Sequence, residues 1–219
     1  MVAGPLFVVA FLVQGAVRAH YNPLRHPVSS LELGDFGWIQ AANFTVAGVL
    51  SLAFAVGLRR TLKSSKQVTG VSLGSLWGPI LVGVWAVTLI AAGVFTTDPT
   101  SGYPPGSPDL LEEYSSLPAA LHDFLSLSGF AALAAACVVF AVRFARLREY
   151  GWAVYSGVSA VAFATVMALA TIAFGQAPGL VAYGGLFQRA AVTVGWAWLT
   201  LLALRRLAGR AGAERTALS

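Results

Sequence analysis

Thr96–Asp123 reads TTDPTSGYPPGSPDLLEEYSSLPAALHD. It bridges two apolar runs, Leu76–Phe95 and Pro118–Val142. Each run is long enough to cross a hydrocarbon layer of ~30 Å at ~1.5 Å per helical residue. The bridge cannot extend either helix. Pro99, Pro104, Pro105 and Pro108 stiffen the backbone and remove donors, while Gly102 and Gly106 permit turns. The stretch holds five of the chain's nine acidic residues (Asp98, Asp109, Glu112, Glu113, Asp123) and one of its three histidines, His122. It reads as an ordered acidic cap joining two antiparallel membrane helices.

Working outward, further apolar runs appear at Pro5–Val17, Trp38–Leu58, Trp152–Phe174 and Gly185–Leu204. Over such lengths only helices satisfy their backbone hydrogen bonds within lipid. The composition agrees: 57% of the 219 residues are hydrophobic, 11% are charged, and the mean hydropathy is +0.74. A soluble domain carries about twice that charged share. The expected fold is all-α, a polytopic six-transmembrane-helix bundle with spans at about 5–19, 38–58, 76–95, 118–142, 152–174 and 185–204. These form one domain over 1–206, followed by a short basic tail at 207–219. Val17-Arg18-Ala19 could pass for a signal-peptidase site, but Met1–Gly4 lacks the basic residues of a signal peptide, so the first helix is expected to be retained. Small residues (Gly74, Gly78, Gly83, Gly93, the Ala131–Ala136 stretch) allow close helix approach.

Charge sets the sidedness. Arg59, Arg60, Lys63 and Lys66 follow the second span, Arg143, Arg146 and Arg148 the fourth, and Arg205, Arg206, Arg210 and Arg215 the sixth. That is eleven of fourteen basic residues in three alternating segments, with seven of nine acids on the other side. The positive-inside rule then puts both termini in the cytoplasm of a multi-pass protein of the cell membrane. The net charge of +5 is accounted for by this bias and anionic lipid, so no nucleic-acid partner is expected. The single cysteine, Cys137, makes no internal disulfide, and no Cys/His metal spacing occurs.

Polar residues gather at the outer helix ends. His122 and Asp123 start the fourth span, Asp98 ends the third, Gln188 and Arg189 lie one turn inside the sixth, and Gln40 and Asn43 share a face of the second. Ionisable groups at this depth need partners or functions. Arg189 brings a cation that requires a carboxylate, a run of carbonyls, water or an anionic ligand. Three readings stay open for it: a salt bridge to Asp98 or Asp123, an anchor for a phosphate or carboxylate headgroup, or simple snorkelling to the interface. His122 with Asp98 or Asp123 has the makings of a proton-transfer pair, since a carboxylate can orient an imidazole. Zinc ligand types exist in His26, His122 and Asp98, with His20 to spare, but the spacing matches no metal motif and no cofactor is expected. Ser29 or Ser30 lacks the surroundings of a nucleophile elbow.

The segments RHPVSSLELGDFGWIQAANF (25–44), GVFTTDPTSGYPPG (93–106), LHD (121–123) and FQRAAVTVGWAWL (187–199) resemble the bacterial six-span membrane family catalogued as domain of unknown function number 998. The resemblance runs from about Arg18 to Arg206. It implies the six-span fold and places His26, Asp98, His122, Asp123 and Arg189 within the recognisable segments. It implies no activity, because a fold label is not a function.

The expected function is recognition of an amphipathic, lipid-like molecule in an outward-facing polar pocket. Arg189, Gln188, His26, Asn43 and Gln40 would bind it; if chemistry follows, His122 would carry the proton and Asp98 or Asp123 would orient it. Two alternatives stand beside this. A non-enzymatic scaffold would use the loop acids to contact another protein. A small-solute transporter would need polar groups continuing to the inner half, where this chain has almost none.

Overall fold

The computed structural model describes residues 2–64 and 72–218, with side chains described for 2–62 and 74–207. The side chains of Lys63, Lys66, Arg210 and Arg215, which enter the sidedness argument, lie outside these ranges.

Six α-helices account for most of the described chain: α1 Ala3–Val17, α2 Gly37–Ser64, α3 Ser72–Val94, α4 Leu117–Arg146, α5 Tyr150–Phe174 and α6 Gly184–Leu218. Short 3-10 turns occur at Val28–Glu32 and Val181–Tyr183. Among the described residues there is no strand, only an isolated bridge between Thr100 and Tyr103. Sequence chemistry starts α4: the Ser116 side chain accepts from the Ala119 amide at 3.3 Å, with proline in the first turn. The chain expected as a tail after 207 continues α6 to Leu218, as its Ala-, Leu- and Arg-rich composition favours.

Consecutive helices pack side by side, and α1 closes on α6, so the six form a ring. The α2–α3 seam is built on glycine. A methyl group on Gly93 would lie 2.5 Å from the Ala41 carbonyl and 2.4 Å from Thr45 Oγ1; one on Gly48 would lie 2.8 Å from the Ala86 carbonyl. Backbones this close reject any side chain. Gly93→Val is therefore expected to lower stability by about 2–3 kcal/mol, read as a lower melting temperature in neutral detergent. An unchanged melting temperature would mean that the seam can open freely.

Five helices, at Gly37–Leu62, Gly74–Val94, Leu117–Arg146, Tyr150–Phe174 and Val181–Leu207, are long and apolar enough to cross a membrane; Ala3–Val17 is a shorter apolar helix. Their apolar residues do not all face inward. Only 28% of the α5 window is buried, and Val154, Val158 and Val161 stand more than 60% exposed on it. A water-soluble ring would bury such a face; this one presents it to lipid. The chain is thus an all-helical membrane protein with a packed interior and an apolar exterior.

The ring is plugged at mid-height by aromatics. Phe7 packs on Trp196 (centroids 5.4 Å), Trp196 on Trp85 (5.8 Å), Trp85 on Phe130 (5.9 Å) and Phe130 on Phe163 (6.2 Å). Side chains from α1, α6, α3, α4 and α5 meet in this layer. The two ends of the ring differ. At one, Arg205 pairs with Glu149 and lies 4.5 Å over Phe144 and 5.1 Å over Trp152. At the other, the three long connections fold over the helix ends.

Candidate functional site

Arginines hold the connection from Arg18 to Phe36 in shape. Arg18 donates to the carbonyls of Leu33 (3.0 Å), Leu31 (3.3 Å) and Phe36 (3.1 Å), collecting a turn that no regular element satisfies. Arg189, 7% exposed, donates to the carbonyls of His26 and Gly185, each at 3.0 Å, and to the Tyr21 hydroxyl. Its guanidinium also lies 5.4 Å over the Tyr21 ring and 5.8 Å over Phe11. Burial pushes the Tyr21 hydroxyl up to about 12, the adjacent Arg189 charge pulling the other way. His26 accepts the Asn22 amide at Nδ1 (2.9 Å), and burial with the Arg25 and Arg189 charges holds its imidazole down to about 4, so it is neutral. Glycine admits this connection to the helix ends. A methyl on Gly185 would sit 2.5 Å from the His26 carbonyl, and one on Gly37 would overlap the Glu32 carbonyl at 1.7 Å.

The acidic connection Thr96–Ser116 is ordered from within and from both sides. The Ser101 and Gly102 amides bond to the Asp109 and Pro108 carbonyls, each at 3.1 Å. Arg25 reaches across to Asp109 at 2.6 Å and to the Ser101 carbonyl at 3.1 Å, and Gln176 donates to the Asp109 carbonyl at 2.9 Å. Tyr103 is buried against Tyr21 and His26. Asp98 turns back to accept the Ser115 amide (2.8 Å) and hydroxyl, tying the end of α3 to the start of α4.

Under these connections lies a cavity of about 460 Å³. That falls within the ~300–1,000 Å³ typical of small-molecule pockets. Its floor includes Trp85 and Phe130 of the aromatic layer, and its walls are mostly apolar. Polar atoms come from Asp98, Glu112, Glu113 and Tyr114 of the acidic connection, His122 and Asp123 of α4, and Gln188 of α6. The Tyr114 hydroxyl faces the Asp123 carboxylate; burial first, then that charge, raises the phenol above its ordinary range. Leu127 lines the cavity and is still 61% exposed on the outer surface. Across from it, α5 contributes Met167, Thr171 and Phe174. Above the Phe130–Phe163 contact the cavity is thus bounded on this side by α4 and α5.

His122 is the buried hinge of this wall. Its Nδ1 lies 2.5 Å from the Phe95 carbonyl and 3.5 Å from Glu32 Oε2. A carbonyl can only accept, so Nδ1 carries the proton and Nε2 is the basic nitrogen of the neutral ring. Glu32 is 7% exposed and neither carboxyl oxygen makes a well-formed hydrogen bond. Burial lifts this carboxyl to about 8, opposed by the Thr97 amide.

The structure thus divides the residues that sequence brought forward. Asp98, His122, Asp123 and Gln188 share the cavity, Gln188 also accepting the Val28 amide at 2.7 Å. His26 and Arg189 hold each other outside its wall. Among the described residues Arg189 pairs with no carboxylate: the salt bridge to Asp98 or Asp123 is corrected to a clamp on carbonyls, because Gly185 lets loop backbone approach it first. Gln40 and Asn43 face α1, where Gln40 accepts from Gln14 at 2.8 Å and Asn43 donates to the Phe7 carbonyl at 3.3 Å. They join helices and do not reach the cavity. The carboxylate at His122 Nδ1 is Glu32, which the sequence reading passed over; its one signal was an acid set between two leucines, Leu31 and Leu33, that both bury. Among the described residues no group of three or more His, Cys, Asp or Glu is arranged to hold a metal ion.

A family model described as Protein of unknown function (DUF998) matches residues 1–205. No curated protein and no solved structure matches the chain.

Proposed function

The chain belongs to this family, DUF998, and from that premise, which supplies no activity, we propose that the protein binds an amphipathic molecule in the cavity beneath its acidic connection. The carrying observation is one void that joins mostly apolar walls to a polar rim, with Leu127 of α4 and Thr171 of α5 among its exposed lining residues, and in this reading that side is its entrance from the bilayer. A tail entering from the bilayer would lie on Leu89, Phe130 and Met167, leaving its head among the polar groups. The aromatic floor favours a binding site that ends inside the ring over a path through it.

In this reading α1 is the sixth span. It packs on α2 and α6 and turns Leu6, Val9, Leu12 and Val13 outward, a face suited to lipid. The basic end faces the cytoplasm with both termini, and the cavity opens at the outer leaflet of a bacterial cell membrane. A second reading, proton transfer to or from the bound molecule, is favoured by the Glu32–His122 arrangement: a protonated Nδ1 leaves Nε2 as the base.

Thr171→Trp tests the binding reading. Thr171 is an exposed wall residue of α5 whose hydroxyl bonds within its own helix, so a bulky ring there takes up cavity space without replacing a core side chain. Retention of a single-chain neutral amphiphile, dodecanol, measured by native mass spectrometry from neutral maltoside micelles, should fall by about tenfold, the equivalent of ~1.4 kcal/mol. Equal retention by the variant and the wild type would remove the cavity as the site.

A further inference from the structure

Resting on the binding reading, we infer that the head of the molecule held in this cavity is a protonated amine, so that the ligand is a cationic single-chain amphiphile and not a phosphate- or carboxylate-headed lipid. Negative charge in the cavity wall is left unmatched by lysine or arginine. Four acidic residues, Asp98, Glu112, Glu113 and Asp123, line the void, and among the described residues no lysine or arginine does. The chain as a whole carries five more basic than acidic residues, so this wall runs against its own average. Arg189, the cation nearest in sequence to the wall residue Gln188, is spent on carbonyls and the Tyr21 hydroxyl. Arg25 is paired with Asp109, outside the wall.

The wall carboxylates accept from neutral donors, and His122 stands beside Asp123. Asp98 accepts from the Ser115 amide and hydroxyl, and Asp123 faces the Tyr114 hydroxyl. Neutral donors orient a carboxylate without cancelling its charge, so each remains able to bind a cation. One buried group in the wall also lacks a partner. Trp85, 3% exposed and part of the wall, has an indole N–H with no acceptor. An unfilled donor in a native site is expected where a bound molecule or water supplies an acceptor, so this group marks the void as a binding space while the acids choose the sign of the head. The Tyr114 ring offers a face to an ammonium at the rim. An anionic head in the same place would meet four carboxyl groups and no lysine or arginine, His122 being the one basic side chain among the described wall residues.

Three probes with one tail and different heads test this: dodecylamine, dodecanol and dodecyl phosphate, counted on the full chain by native mass spectrometry from neutral maltoside micelles. Dodecylamine should be retained about tenfold more than dodecanol, and dodecyl phosphate least. Asp123→Asn should abolish the preference for the amine, read as the ratio of dodecylamine to dodecanol retained by the same variant. Asp98→Asn should lower the same ratio if it folds; should loss of the Ser115 tie prevent folding, the exposed pair Glu112→Gln and Glu113→Gln provides the second variant and should lower the ratio of amine to dodecanol retained. Equal or stronger retention of dodecyl phosphate overturns the inference, as does an amine preference indifferent to Asp123→Asn. Dodecanol or phosphate retention that Thr171→Trp blocks, with no preference for the amine, would sink the cationic head and spare the cavity. Retention of none of the three would sink both.

Discussion

Arg189→Ala lowers stability by about 3–4 kcal/mol, and Arg189→Lys restores less than half of it. The side chain is almost fully buried and its hydrogen bonds close the connection from Arg18 to Phe36 onto the start of α6. A hydrogen bond to a charged group contributes about 1.5–3 kcal/mol net, and deleting the donor leaves the carbonyls facing a small void. The His26 carbonyl would keep only the longer contact from Tyr21, at 3.3 Å. Lysine retains the charge but not the fork that reaches His26, Gly185 and Tyr21 together. The melting temperature in neutral detergent measures the loss. A second readout separates this role from a ligand anchor: dodecanol retention per folded molecule should be unchanged in Arg189→Lys, since Arg189 is absent from the cavity wall. Full stability in Arg189→Ala would show that the loop closes without the clamp.

The large features of this fold are legible in residue order because they rest on quantities that order carries directly. Hydrophobic run length marks the helices, and α5 at Tyr150–Phe174 begins two residues before its expected start and ends where expected. Proline and glycine mark the connections, and the acids of Thr96–Asp123 fall where a cap forms. Which polar groups face one another is not legible in this way. His122 and Asp123 both belong to a helix start, but the rotation of α4 decides that His122 turns toward Glu32, 90 positions earlier, while Asp123 turns toward Tyr114. Gln40 and Asn43 share a helical face, as their spacing of three requires, yet that face meets α1 and not the void. Arg189 is recognisable from sequence as a charge needing partners. That the partners are carbonyls follows from Gly185 one turn earlier, a close approach no one-dimensional pattern encodes.

Between pH 5 and 9 the wild-type protein loses stability that Glu32→Gln does not. The unfolded carboxyl titrates near its ordinary value of 4.5, and burial lifts it to about 8 in the folded protein. A folded state that holds the proton more tightly gains stability that is complete below about pH 4.5 and lost as the pH rises through about 8. Each tenfold gain in proton affinity is worth about 1.4 kcal/mol, so the ceiling is on the order of 4–5 kcal/mol, and relaxation or water entry would reduce it. Glutamine keeps the size and polarity of the protonated acid and has no proton to lose, so the variant should match the wild type at pH 5 and exceed it at pH 9. The groups facing Glu32 bear on the sign. The Thr97 amide favours the carboxylate, and so would a protonated His122, whose Nδ1 is 3.5 Å away. If His122 and Glu32 instead form a permanent ion pair, Glu32→Gln would strand the imidazolium and destabilise the protein at every pH in this range. Melting curves of the two proteins across pH 5–9 therefore distinguish a neutral acid beside a neutral imidazole from a buried salt bridge. The distinction reaches the site itself: only the first leaves His122 Nε2 unprotonated, and able to take a proton from whatever the cavity holds.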